Sequence, residues 1–215
     1  MNSNIDHTNL KAFSTKYNII ELCNEAIEHN FASVCVNPYY VSLASEILSG
    51  SSVAVCTVIG FPLGANTTET KVFEAKNAVE NGADEIDMVI NIGALKNKDY
   101  KYVKDEIESI RDAIEGKILK VIIETCYLDN DEIIKMTKIC NETFVNFIKT
   151  STGFGTEGAT IENVKLMKKY ASETLEIKAS GGIKTYEDAV SFLEAGATRL
   201  GTSSGVLLMN GDDKE

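Results

Sequence analysis

The chain has 215 residues, of which 44% are apolar and 25% charged, and its formal net charge is −11. That length suits one domain of the size of a single α/β barrel, and the apolar fraction suits a globular core. The acidic balance argues against nucleic acid or an anionic membrane as partner, while leaving room for a small phosphate ligand held by local backbone N–H groups.

The opening MNSNIDHTNL has no basic segment followed by an apolar core. No apolar run approaches the roughly eighteen residues of a membrane helix. Both features point to a cytoplasmic protein. Cys23, Cys35, Cys56, Cys126 and Cys140 form no CxxC pair, and most sit in apolar stretches, as reduced core thiols do. His7 and His29 are the only imidazoles and lack partners at metal-site spacing. Neither a metal nor a cofactor is expected.

Along the chain, short β-rich runs alternate with helical segments. NIDHTNL gives a weak first strand. SVCVN (33–37) follows the helix-ending Asn30, and VAVCTVI (53–59) is the third run. Residues 67–80 read as a helix with Val72, Ala75 and Val79 on one stripe, Thr67 or Thr68 as cap and Asn81-Gly82 as stop. EIDMVI (85–90) is the fourth strand. Ile86, Met88 and Ile90 share its helix-facing parity, whereas Asp87, Val89 and Asn91 face inward. KVIIE (120–124) follows Gly116, and FVNFIK (144–149) is the sixth run. LEIKA (175–179) is the seventh, before a helix with a Thr185/Asp188 capping box and a stop at Gly196. TRLGT (198–202) is the eighth. Eight strand–helix repeats predict a single (β/α)8 barrel domain over 1–215. An open doubly wound sheet is the alternative, but no GxGxxG follows the first strong strand.

The polar strand residues carry the chemistry. Lys149 shares inward parity with Val145 and Phe147, and Lys178 with Glu176 and Ser180. Their strands are consecutive, and adjacent parallel strands lie about 4.8 Å apart. A free lysine with pKa about 10.4 is protonated at neutral pH. Desolvation and a neighbouring cation favour the neutral amine, which attacks carbonyls to form a Schiff base. Asp87 reads either as a structural ion-pair partner or as a proton shuttle for such a lysine pair. Gly181-Gly182 and GTSSG (201–205) follow strands seven and eight, where barrels of this kind hold phosphate. Their glycines let backbone N–H groups approach an anion, and Ser203 and Ser204 add hydroxyl donors.

IDHTNLK, VCVNPYY, CTVIGFPLG, EIDMVINIGALK, KVIIETCYL, FIKTSTGFG, IKASGGIKT and RLGTSSG run in this order from residue 5 to 205. Together they closely resemble the deoxyribose-phosphate aldolase family. The resemblance implies a metal-independent (β/α)8 barrel acting on a phosphosugar and aldehydes. The implied reaction is reversible cleavage of 2-deoxy-D-ribose 5-phosphate to D-glyceraldehyde 3-phosphate and acetaldehyde. It implies Lys149 as Schiff-base nucleophile, Lys178 as the neighbour that lowers its pKa, and Asp87 as proton donor and acceptor. It implies Gly181, Gly182, Ser203 and Ser204 at the phosphate, and Asp6, Thr8 and Cys35 around the substrate cavity. Thr150 and Gly153 fall in the signature loop. A homodimer is the implied assembly, with a tetramer as the alternative.

Three positions depart from the family pattern. Asn9 and Ala12 replace a leucine and a proline of the usual opening motif. Phe154 stands where some members carry a phosphate-binding lysine, which shifts the expected burden to backbone donors. The chain ends MNGDDKE, without the tyrosine that assists proton transfer in some members. Another phosphosugar isomerase or epimerase barrel, or a non-catalytic phosphosugar-binding barrel, remains the competing reading.

Overall fold

Eight short runs rich in Val, Ile and Leu form parallel strands that close on themselves in chain order. They are β1 (Ile5–Asn9), β2 (Ser33–Val36), β3 (Ala54–Ile59), β4 (Glu85–Val89), β5 (Ile118–Ile122), β6 (Phe147–Lys149), β7 (Glu176–Ser180) and β8 (Arg199–Thr202). The barrel shuts where Ile5 pairs with Leu200 and Asp6 with Gly201. This computed structural model describes residues 1–210. The last part of the tail, 211–215, lies outside the described residues, and with it the expectation that no terminal tyrosine assists there. Among the described residues, no helix is long and apolar enough to cross a membrane.

The helices are α1 (Lys16–His29), α2 (Val41–Leu48), α3 (Thr68–Glu80), α4 (Ile92–Lys96), α5 (Tyr100–Ala113), α6 (Asn130–Glu142), α7 (Ile161–Tyr170), α8 (Tyr186–Glu194) and α9 (Gly205–Asn210). Their ends follow the sequence signals. Asn30 takes the left-handed φ of 53° that stops α1. Thr67 caps α3, and Thr185 with Asp188 forms the expected capping box of α8.

The main core lies between barrel and helices. Ile86, Met88 and Ile90 are fully buried in it, as their parity predicts. The α3 stripe differs from expectation. Lys71, Ala75 and Ala78 are buried, while Val72 and Val79 are only partly so. The buried Lys71 donates to Glu106 Oε1 at 2.7 Å and to the Val89 carbonyl at 2.8 Å. Glu106 in turn accepts from the Asn91 N–H at 3.0 Å. A buried ion pair thus ties α3 and α5 to the end of β4, two residues beyond Asp87.

Two strands shift by two residues or more from their predicted bounds. β6 starts at Phe147 rather than 144. Phe144 adopts a left-handed φ of 52°, and the Asn146 side chain accepts from the Leu119 N–H. β5 starts and stops two residues earlier than expected, because Glu124 leaves the extended region at φ 51°.

Candidate active site

β4, β5, β6, β7, β8 and β1 each send a charged side chain into the barrel, because inward and outward residues alternate along each strand. Lys149 and Lys178 are register partners on β6 and β7. Both are buried, and both Nζ atoms lie 2.7 Å from Asp87 Oδ2 on β4. The other oxygen, Oδ1, accepts from Lys120 Nζ on β5 at 2.9 Å, and the Cys56 Sγ lies 3.1 Å from it. Beneath them, Asp6 Oδ2 lies 2.5 Å from Lys178 Nζ, and Asp6 Oδ1 accepts from Arg199 at 2.6 Å and Ser33 at 2.7 Å. Glu85 closes the circuit, 2.5 Å from Lys120 and 3.1 Å from Arg199.

Burial works against each charge here, and partners outweigh it. Burial raises the Asp87 carboxyl, yet Lys120, Lys149 and Lys178 hold it well below the usual carboxylate range. Asp6 is likewise held low by Lys178, Lys120 and Arg199 against its desolvation. Burial lowers Lys178, but Asp6 and Asp87 hold it above its ordinary value, so it stays an ammonium. Lys120 is raised in the same way, led by Asp87. Only Lys149 of this group reaches the cavity above.

That cavity, of about 510 Å³, opens at the C-terminal ends of the strands. Thr8 and Lys149 line it, with the loops after β6, β7 and β8. Gly153, Gly181, Gly182, Ser203 and Ser204 are all on its wall. Gly181 has φ 85°, and its carbonyl lies 2.1 Å from where a Cβ on Gly158 would stand, so the two loops approach only as glycines.

Cys35, Cys56 and Asp87 bring potential ligand atoms within 4.8 Å of one another. The set does not suit a cation, because a metal there would share its carboxylate with the Lys120 and Lys178 ammonium groups.

A model described as DeoC/LacD family aldolase matches residues 1–209. The chain belongs to the DeoC/LacD family of aldolases. The deoxyribose-phosphate aldolase of Thermococcus kodakarensis is 57% identical over 215 residues, covering 98% of this chain and 96% of that protein. That of Clostridioides difficile is 57% identical over 209 residues, covering 97% and 95%. The tetrameric deoxyribose phosphate aldolase of Aeropyrum pernix superposes with a TM-score of 0.91 at 32% identity, covering 97% of this chain and 89% of that one.

Within this DeoC/LacD barrel three expected cavity residues stand elsewhere. Asp6 is fully buried one pleat below Thr8, because inward residues on β1 alternate in depth. Cys35 packs beside Leu10, Cys56 and Val58 in a small inner apolar cluster. Thr150 faces β7, where its hydroxyl accepts from the Ser180 N–H at 3.1 Å and so ties β6 to β7. Sequence reasoning missed Lys120, Glu85, Arg199, Lys184 and Glu124. Glu85 shares inward parity with Asp87, and Arg199 with Ser203, which was the available signal, while no residue on the strand of Lys120 had been singled out. Lys184 lines the cavity directly after the glycine pair.

Proposed function

We propose that this DeoC/LacD aldolase reversibly cleaves 2-deoxy-D-ribose 5-phosphate to D-glyceraldehyde 3-phosphate and acetaldehyde through a Schiff base on Lys149. The observation that carries this reading is that, among the described residues, Lys149 alone joins the cavity to the buried charge network, with Nζ against Asp87 Oδ2. Around Lys149 the network sets three anions (Asp6, Glu85, Asp87) against three cations (Lys120, Lys178, Arg199).

The amine attacks the C1 carbonyl of the open-chain sugar, and loss of water gives the protonated imine. A base removes the C3 hydroxyl proton. The C2–C3 bond then breaks, glyceraldehyde 3-phosphate forms, and the bonding pair moves into the imine as an enamine. Protonation at C2 and addition of water release acetaldehyde and the amine. Asp87 is placed to exchange protons with Lys149, and Lys178, which stays charged, keeps that carboxylate ionised between steps. Gly181, Gly182, Ser203 and Ser204 supply donors for the phosphate, and Lys184 a cation in place of the lysine that Phe154 replaces.

We further propose that the chain works in the cytoplasm as one domain over 1–215, on small molecules rather than nucleic acid or membrane. The proposed assembly is a homodimer, with a tetramer, as described for the Aeropyrum pernix relative, as the alternative. The test of the reaction is acetaldehyde followed by borohydride, with the modified peptide mapped by mass spectrometry. An ethyl group on Lys149 is expected. Absence of an adduct, or one on Lys178 instead, would overturn the assignment.

A further inference from the structure

The residue after β5's exit holds an unusual position. Glu124 is 2% exposed and left-handed, at φ 51°, a conformation that non-glycine residues adopt sparingly. Its carboxylate reaches across to the loop that follows Lys149. Oε1 and Oε2 accept from the Thr152 N–H at 3.2 and 3.3 Å, and Oε2 also accepts from the Thr152 hydroxyl. Thr152 Oγ1 then accepts from the Phe154 N–H at 3.0 Å. The next residue, Gly155, lies so close that a Cβ would stand 2.7 Å from Cys126 Sγ and 3.1 Å from Glu124 Cδ. Thr152, Gly153 and Phe154 all line the cavity, whereas Glu124 does not. Among the described residues, the donors to this buried carboxylate belong to Thr152.

Lys149 is fixed by other means. Its carbonyl accepts from the Ile123 N–H at 3.1 Å, the Thr150 N–H binds the Lys178 carbonyl at 3.1 Å, and Nζ is held by Asp87. Lys149 is thus held by backbone bonds and Asp87, whereas the wall above it is held by the Glu124 side chain.

We propose that Glu124 is a positioning residue that acts through Thr152. It holds the 152–154 loop as the cavity wall and thereby sets affinity for the phosphorylated sugar, not the reactivity of Lys149. This rests on the aldolase reading above. The left-handed backbone takes Glu124 out of the extended line of β5, and its carboxylate meets the loop after β6. A charged acceptor suits the task because it takes two donors from one residue, leaving the Thr152 hydroxyl free to accept from Phe154.

The test uses Glu124→Gln, Thr152→Val and the double variant, each checked for native thermal unfolding. In Glu124→Gln one acceptor oxygen becomes an NH2 facing the Thr152 N–H, so donors oppose each other. KM for 2-deoxyribose 5-phosphate is expected to rise by about tenfold in each single variant, the scale of one buried unpaired polar group. The rate of borohydride-trappable adduct formation with acetaldehyde is expected to stay within about twofold of wild type, because its supports are untouched. The double variant is expected to be no worse than the weaker-binding single one. Thr152→Ser, which restores the hydroxyl, is expected to recover the wild-type KM. Unchanged KM, additive losses, or a fall in trapping parallel to the fall in turnover would overturn the proposal. Wild-type protein run alongside separates the two readings. If it forms no adduct and cleaves no sugar phosphate, the reaction assignment fails, whereas normal wild-type cleavage with unaffected variants refutes the clamp alone.

Discussion

Lys149 and Lys178 donate to the same oxygen of Asp87, each with its nitrogen 2.7 Å from Oδ2. The sequence suggests two cations repelling each other; the structure interposes an anion that attracts both. Replacing either neighbour of Lys149 then has opposite effects. In Asp87→Asn the carboxylate between the two amines is gone, and Lys149 loses its anionic neighbour, so the acid limb of adduct formation moves to lower pH. In Lys178→Leu the Asp87 charge acts without its competing cation, so that limb moves to higher pH. Shifts of about one unit each correspond to about 1.4 kcal/mol. Turnover falls in both, by about 10²–10⁴-fold for lost proton transfer. Borohydride trapping across pH reads the limbs, and movement of both in one direction would refute the bridged arrangement.

Asp6 and Asp87 are held below their ordinary range by their cationic partners. A depressed carboxylate contributes stability above its unfolded pKa of about 3.9 and loses it as pH falls further. Unfolding free energy is therefore expected to be steady near neutrality and to fall steeply below about pH 4. Lys178 is raised, so its contribution is fully present below about pH 10.4 and fades only on the alkaline side. Denaturant titrations from pH 3 to neutrality check this, and an acid limb equally steep in Asp87→Asn would contradict it.

Ser203, Ser204 and Lys184 stand together on the cavity rim. Ser204→Asp puts a like charge against the phosphate, and Lys184→Ala removes a cation. Both are expected to raise KM for the phosphorylated sugar, by about 10–100-fold for Ser204→Asp, with little loss on unphosphorylated deoxyribose. Equal losses on the two substrates would show that these residues do not hold phosphate.

The Lys71–Glu106 pair is fully buried, and its members are shifted toward their neutral forms: burial lowers Lys71 and raises Glu106. Desolvation thus outweighs mutual attraction. Lys71→Met or Glu106→Leu alone strands a buried charge and is expected to cost about 3–5 kcal/mol, whereas the double apolar variant is expected to be near wild type. Thermal unfolding decides between these outcomes.

Strand parity made the fold and the inner triad legible. Asp87, Lys149 and Lys178 were readable because period-two alternation assigns a face once a strand is recognised. Glu85 and Arg199 carried the same signal, but they sit at strand starts, where bounds are least certain, and Lys120 had no singled-out neighbour on its strand. Asp6 and Cys35 were placed around the substrate because a motif gives position along the chain, not depth in the barrel. Glu124 had no such signal. Its left-handed backbone and its reach to Thr152 join residues 28 apart, a relation that no local pattern encodes.

The circuit of charges beneath Lys149 supplies the site with a private ionic atmosphere. Dissolved ions screen charges over a Debye length of about 8 Å at physiological ionic strength, but they do not enter a dry barrel. Adding salt should therefore leave imine formation nearly constant while weakening capture of the phosphate at the solvent-facing rim. Ionic strength, with no residue altered, separates the two halves of the cavity.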